Sequence, residues 1–132
     1  MTSNDAIKLA TGDYIALLDH DDLLHQHALF FVTKAILENN NPNLIYSDED
    51  KYSESEGRNY PHFKPDFNED LFYSYNYISH LGVYKKSIVD EIGGFRVGFE
   101  GSQDYDLALR VISHSKKNKI IHIPIVLYPV SY

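Results

Sequence analysis

The chain has 132 residues, a formal net charge of -7 and no cysteine, which is the length of one domain. Without cysteine there are no disulfides, thiolate zinc sites or cysteine nucleophile, and the acidic balance argues against a nucleic-acid surface, which needs clustered Lys and Arg. No apolar stretch is long enough to span a bilayer and no signal peptide opens the chain, so a cytoplasmic location is expected.

Ser3-Asn4-Asp5 before Ala6, Ile7, Leu9 and Ala10 predicts an N-capped amphipathic helix stopped by Gly12. Tyr14 to Leu18 is a continuous apolar run, as in a strand buried on both faces, and it breaks into Asp19-His20-Asp21-Asp22. A second helix is expected from about Gln26 to Asn39. Leu44-Ile45-Tyr46 then starts a short strand expected to end in Asp48-Glu49-Asp50. Lys51 to Pro65 reads as a surface loop or loose hairpin, Asp66 to Tyr75 as a short helix capped by Asp66, and Tyr77 to Tyr84 as a strand. Ser87 to Ile92 is expected to be helical and to end at Gly93-Gly94. Ser102 should cap a helix running to about Ser113, and Ile120 to Leu127, broken by Pro124, gives the last one or two strands. Alternating strands and helices indicate an α/β sheet, whose ligands bind beyond the carboxyl ends of the strands, where the acids fall.

Two constellations carry chemistry. In Asp19-His20-Asp21-Asp22 three carboxylates and an imidazole crowd a strand end, and like charges this close call for a cation. Hard divalent ions take carboxylate oxygens and complete their shell with water and substrate phosphates. The competing reading is a solvated turn with Asp22 capping the next helix. The second constellation is Gly98 to Leu107, a glycine-spaced loop delivering Asp104 and Asp106 to a helix start, where the macrodipole favours the anion. Such a carboxylate in a cleft can act as a general base, and plain helix capping is the alternative.

The order Gly12-Asp13-Tyr14-Ile15 into Leu18-Asp19-His20-Asp21-Asp22, then Tyr46-Ser47-Asp48-Glu49-Asp50-Lys51, then Gly93-Gly94-Phe95, then Gln103-Asp104-Tyr105-Asp106-Leu107 with Arg110, resembles glycosyltransferase family 2 of the bacterial surface-polysaccharide type. The resemblance implies the GT-A fold, a mixed and mostly parallel sheet flanked by helices, an inverting mechanism, and Mn²⁺ or Mg²⁺. It also implies a nucleotide-diphospho-sugar donor and a saccharide or lipid-linked acceptor. Asp19 and Asp21 match the family's Asp-x-Asp motif as donor contacts, Asp21 and Asp22 the metal ligands, and Asp104 the catalytic base. Acceptor-side candidates are His80, Gly94, Gln103, Asp106 and Asp48. For His80 an interior histidine bonded to backbone fits equally well, and Asp48 could instead cap its loop.

The chain departs from the pattern at both ends. No base-binding strand, helix, strand unit precedes Thr2, and Pro129 stands where many relatives carry a His after the Leu-Tyr of the last strand. Residues 1–132 are therefore expected to form a single partial GT-A domain lacking its first strands, self-associating through the exposed sheet edge and turning over weakly alone. The full-length protein is expected to be cytoplasmic or membrane-associated. A non-catalytic nucleotide- or glycan-binding fragment of the same fold is the alternative function.

Overall fold

The computed structural model describes residues 2–131. Helix α1 (Ser3–Leu9) begins in a capping box between Thr2 and Asp5 and leads into strand β1 (Tyr14–Leu17). Helix α2 (Ala28–Glu38) crosses to β2 (Leu44–Ser53), which turns back into β3 (Gly57–His62). Helix α3 (Glu69–Ser74) precedes β4 (Gly82–Lys85), α4 (Lys86–Glu91), α5 (Gln103–Ser113) and β5 (Ile120–Ser131).

The sheet is mixed, as expected, but it is not mostly parallel. Of its four pairings among the described residues, β1 with β4, β2 with β3 and β2 with β4 are antiparallel, and only β2 with β5 is parallel. The helical crossovers do make β1, β2 and β5 run the same way, which is the part that periodicity reveals. Against them stand a tight hairpin, which can join only antiparallel neighbours, and β4, inserted in reverse between β1 and β2. This arrangement brings the carboxyl end of β1, the first half of β2 and the amino end of β4 together, with Gly82 opposite both Leu17 and Tyr46.

Neighbouring residues on the strands serve opposite faces. Leu44, Tyr46 and Tyr84 pack under α1, α3, α4 and α5 with Ile7, Phe72, Val89, Leu107 and Val111. Ile45 and Val83 pack under α2 with Ala28, Val32 and Leu127. Leu44–Tyr46 of β2 and Val83–Tyr84 of β4 therefore read as uninterrupted apolar sequence because both faces are covered.

Strand β2 runs on through Asp48, Glu49 and Asp50 to Ser53 instead of stopping at the acids. Because β5 occupies one of its edges from Leu44 to Tyr52, β4 (opposite Leu44–Tyr46) and β3 (opposite Glu49–Ser53) share the other. The expected strand from Tyr77 contracts to Gly82–Lys85, preceded by a single bond from Ser47 N to Leu81 O with residues 76–80 outside any strand. Asn68, not Asp66, caps α3, its side chain accepting from Leu71 N. Ser102 precedes α5 but makes no side-chain cap. Pro124 does not break β5. The register skips from Ile123 to Val126 opposite Ser47 and Asp48, so the residue that cannot donate sits in a bulge.

Candidate active site

The turn after β1 is docked onto the far half of β5. His25 N donates to Leu127 O at 2.9 Å, Ser131 N to Asp22 Oδ1 at 2.9 Å, and the Tyr128 hydroxyl to Asp22 Oδ2 at 2.7 Å, while Asp19 N donates to that hydroxyl at 3.2 Å. From the amino end of β4 comes His80, its ring stacked on Tyr128 with centroids 4.6 Å apart and its Nε2 at 3.6 Å from Asp19 Oδ2. Oxygens of Asp19 and Asp22 and a ring nitrogen of His80 lie within 4.8 Å of one another. Two carboxylates and one imidazole at this spacing are the residues that could hold a divalent cation. Asp21 stands exposed on the same turn, outside that cluster.

Asp104 reaches the same edge from the first turn of α5. Burial first, and then the Asp19 carboxylate, push its carboxyl above the usual range, with His80 pulling the other way. With Gln103 it forms a wall common to two clefts. One, of about 390 Å³, runs past Asp19, Leu17 and Phe95. The other, of about 450 Å³, is lined by Asn76, Ser79, Ser102 and Tyr105. A larger concavity of about 760 Å³ lies at the opposite sheet edge, around Gly12, Asp13 and Lys86, far from these groups.

The remaining sequence candidates are held in structural roles. Asp106 is buried between two guanidiniums, bonded to Arg96 Nε at 3.1 Å and Arg110 Nε at 3.0 Å and to Arg96 Nη2, and these hold its carboxyl below the usual range. Arg110 also donates to the carbonyls of Ile92 and Gly94, so Asp106 organises the loop ahead of α5 instead of offering a second base. Gly94 is buried at φ +69, and a Cβ there would come within 2.6 Å of Asn4 Oδ1. Asn4 in turn bonds both the N–H and the carbonyl of Phe95, which ties the loop to α1.

Asp48 is likewise buried. Its Oδ1 accepts from Lys64 N at 2.9 Å and lies 2.7 Å from His122 Nε2, whose Nδ1 is 2.8 Å from Asp66. Asp50 pairs with Arg58 at 2.8 Å. Sequence reasoning missed Tyr128, His122 and Lys64. The first two hide in an apolar-looking strand, and Lys64 sits in what reads as loop, with no local signal of burial.

Two crystal structures of S. aureus TarS, one of residues 1–349, superpose with a TM-score of 0.72 each, at 20% and 19% identity, covering 97% and 98% of this chain and 38% and 23% of theirs. The fold is that of the GT-A glycosyltransferases. The family model "Glycosyl transferase family 2" matches residues 3–102, and the chain belongs to that family. Similar proteins include the uncharacterized protein y4gI of Sinorhizobium fredii, 54% identical over 96% of this chain, and the O-antigen biosynthesis protein RfbC of Myxococcus xanthus, 37% identical over 83%. The chain spans only 14% and 8% of the length of these two relatives.

Proposed function

We propose that this chain carries the catalytic part of an inverting transfer of a sugar from a nucleotide-diphospho-sugar to a saccharide or lipid-linked acceptor. The observation that supports it most is the half-buried Asp104 carboxyl on the wall between two clefts, with Asp19 on the one side and the neutral polar groups of Asn76 and Ser79 on the other. Asp104 takes the proton of the acceptor hydroxyl as its oxygen attacks the anomeric carbon, and the bond to the diphosphate breaks on the opposite face, so the anomeric centre inverts. A raised pKa suits this role, because a base works best when its pKa approaches the working pH. Asp19, Asp22 and His80 are the residues to hold Mn²⁺ or Mg²⁺, which when bound offsets charge on the departing diphosphate. Gln103, in both clefts, orients the acceptor beside the base.

The O-antigen biosynthesis name of RfbC supports a surface-polysaccharide acceptor, and a cytoplasmic or membrane-associated full-length protein is part of the same proposal. Among the described residues no helix is long and apolar enough to cross a membrane. The outer edge of β1 is unpaired among the described residues, which supports self-association of this chain. Concentration-independent monomer mass in light scattering would refute that association.

Calorimetric titration of Mn²⁺ with UDP, GDP and dTDP, coupled to transfer assays on the longer protein, tests the enzyme reading against a binding module. Asp104→Asn should leave cation and nucleotide affinity within about twofold while transfer drops by roughly 10²- to 10⁴-fold. Transfer that survives this substitution would remove Asp104 as the base.

A further inference from the structure

We propose that Lys64 is a positioning residue that fixes His80 against Asp19 and Tyr128, an assignment whose functional meaning rests on the cation-site reading above. Its side chain is 0% exposed and lies where the second edge of β2 passes from β4 to β3. All three ammonium protons have acceptors: the carbonyls of Ile78 and His80, and Glu49 Oε1 at 3.0 Å. The same Glu49 oxygen is 3.4 Å from His80 N, so the Lys64–Glu49 pair holds both the amide and the carbonyl of His80. Lys64 is itself anchored through its backbone N–H on Asp48, which His122 braces in turn.

A buried ion pair is a poor device for stability, because a well-packed apolar side chain fills the same volume without the desolvation penalty. Burial indeed pulls the Lys64 pKa down, with the Glu49 charge opposing it. What an apolar side chain would not supply is two directed bonds to the carbonyls of Ile78 and His80, with a third to Glu49 of β2. Residues 76–81 lie ahead of β4, tied to β2 where Ser47 N donates to Leu81 O, and they carry His80, the imidazole grouped with Asp19 and Asp22 among the described residues. His80 Nδ1 is buried with no partner among the described residues, so the ring is oriented by its backbone, by stacking on Tyr128 and by Asp19 at its Nε2.

The test is NMR on the full chain and on the paired variant Lys64→Met with Glu49→Gln, which removes both charges together. In the variant, core NOEs among Tyr46, Tyr84 and Leu107 should persist while those between the His80 and Tyr128 rings disappear. Mn²⁺ affinity, read from line broadening at Asp19, Asp22 and His80, should fall about 10- to 100-fold, as for loss of groups that orient metal ligands. A folded variant with unchanged ring NOEs overturns the assignment. If the unaltered chain shows no Mn²⁺ broadening at these residues, the cation reading fails and the ring NOEs alone decide the positioning role. If the variant does not fold, the unaltered chain decides: Lys64 ammonium protons should exchange slowly and show NOEs to His80, and fast exchange without such NOEs overturns the proposal.

Discussion

Two acidic stretches follow apolar strand residues in this chain, and they end up in opposite states. Asp19, Asp21 and Asp22 form a turn beyond β1, where Asp19 and Asp21 are exposed and no Lys or Arg pairs with the three acids among the described residues. Asp48, Glu49 and Asp50 lie within β2, each matched to a cation or imidazole: His122, Lys64 and Arg58. The helix start repeats the contrast over two residues. Among the described residues Asp104 has no paired Lys or Arg and feels only the pull of His80, whereas Asp106 is gripped by Arg96 and Arg110. Acids whose basic partners are built into the fold hold it together, and acids left without them are available to a ligand.

The largest expected effect is on the closed stretch. Asp48→Ala removes the acceptor of a buried backbone N–H and strands the His122 side chain, which is 4% exposed. A loss of about 3–5 kcal/mol is expected, measured as a lowered urea midpoint. A change below about 1 kcal/mol would dissolve the distinction between the two acidic stretches. Asp106→Asn should cost less, about 2 kcal/mol, because Arg96 keeps a half-exposed side chain that water can solvate.

Its pH dependence adds a sharper mark. The arginines lower the folded-state pKa of Asp106 from the ordinary 3.8, so its stabilisation is present above that pH and drains away as pH falls through the folded value. Asp106→Asn should therefore flatten the acid limb of the stability profile below about pH 4. Asp104→Asn should not flatten it. Its carboxyl is shifted upward, so ionisation at neutral pH already works against the fold, and the stability it contributes belongs to the protonated form.

How far the sequence alone carries this contrast depends on where the partners sit. The open turn and the helix-start acids were legible, because apolar runs, caps and motif order are local, and Asp19 and Asp104 do meet at one sheet edge. The direction of β4 and the fate of Asp48 were not. Both depend on contacts across the chain, with β4 reversed between β1 and β2, and His122 facing Asp48 from 74 residues away. Lys64 escaped for the same reason: a lysine between Phe63 and Pro65 has the composition of a loop, and only tertiary packing buries it. Tyr128 fits the apolar pattern of β5, although its hydroxyl is the link between Asp19 and Asp22.

The smallest expected effect bears on which acids of the open turn meet the cation. The Asp-x-Asp resemblance favours Asp21, whereas the geometry groups Asp22 with Asp19 and His80. Asp22 also accepts from Tyr128 and Ser131, so two bonds hold its carboxylate in place before any cation arrives, while Asp21 has to be ordered on binding. Pre-ordered ligands bind with less entropic loss. Calorimetry should therefore find Mn²⁺ weakened about tenfold or more by Asp22→Asn, as expected for loss of an oriented ligand, and only about two- to threefold by Asp21→Asn. Asn keeps the side-chain shape at both positions and at 22 still accepts from Ser131 N, its amide N–H then donating to the Tyr128 hydroxyl instead of accepting from it, so neither variant should lose more than about 1 kcal/mol of stability. The reverse ranking would mean that the turn refolds around the ion to present Asp21, and the unpaired acids of β1 would then be a mobile ligand set instead of a preformed one.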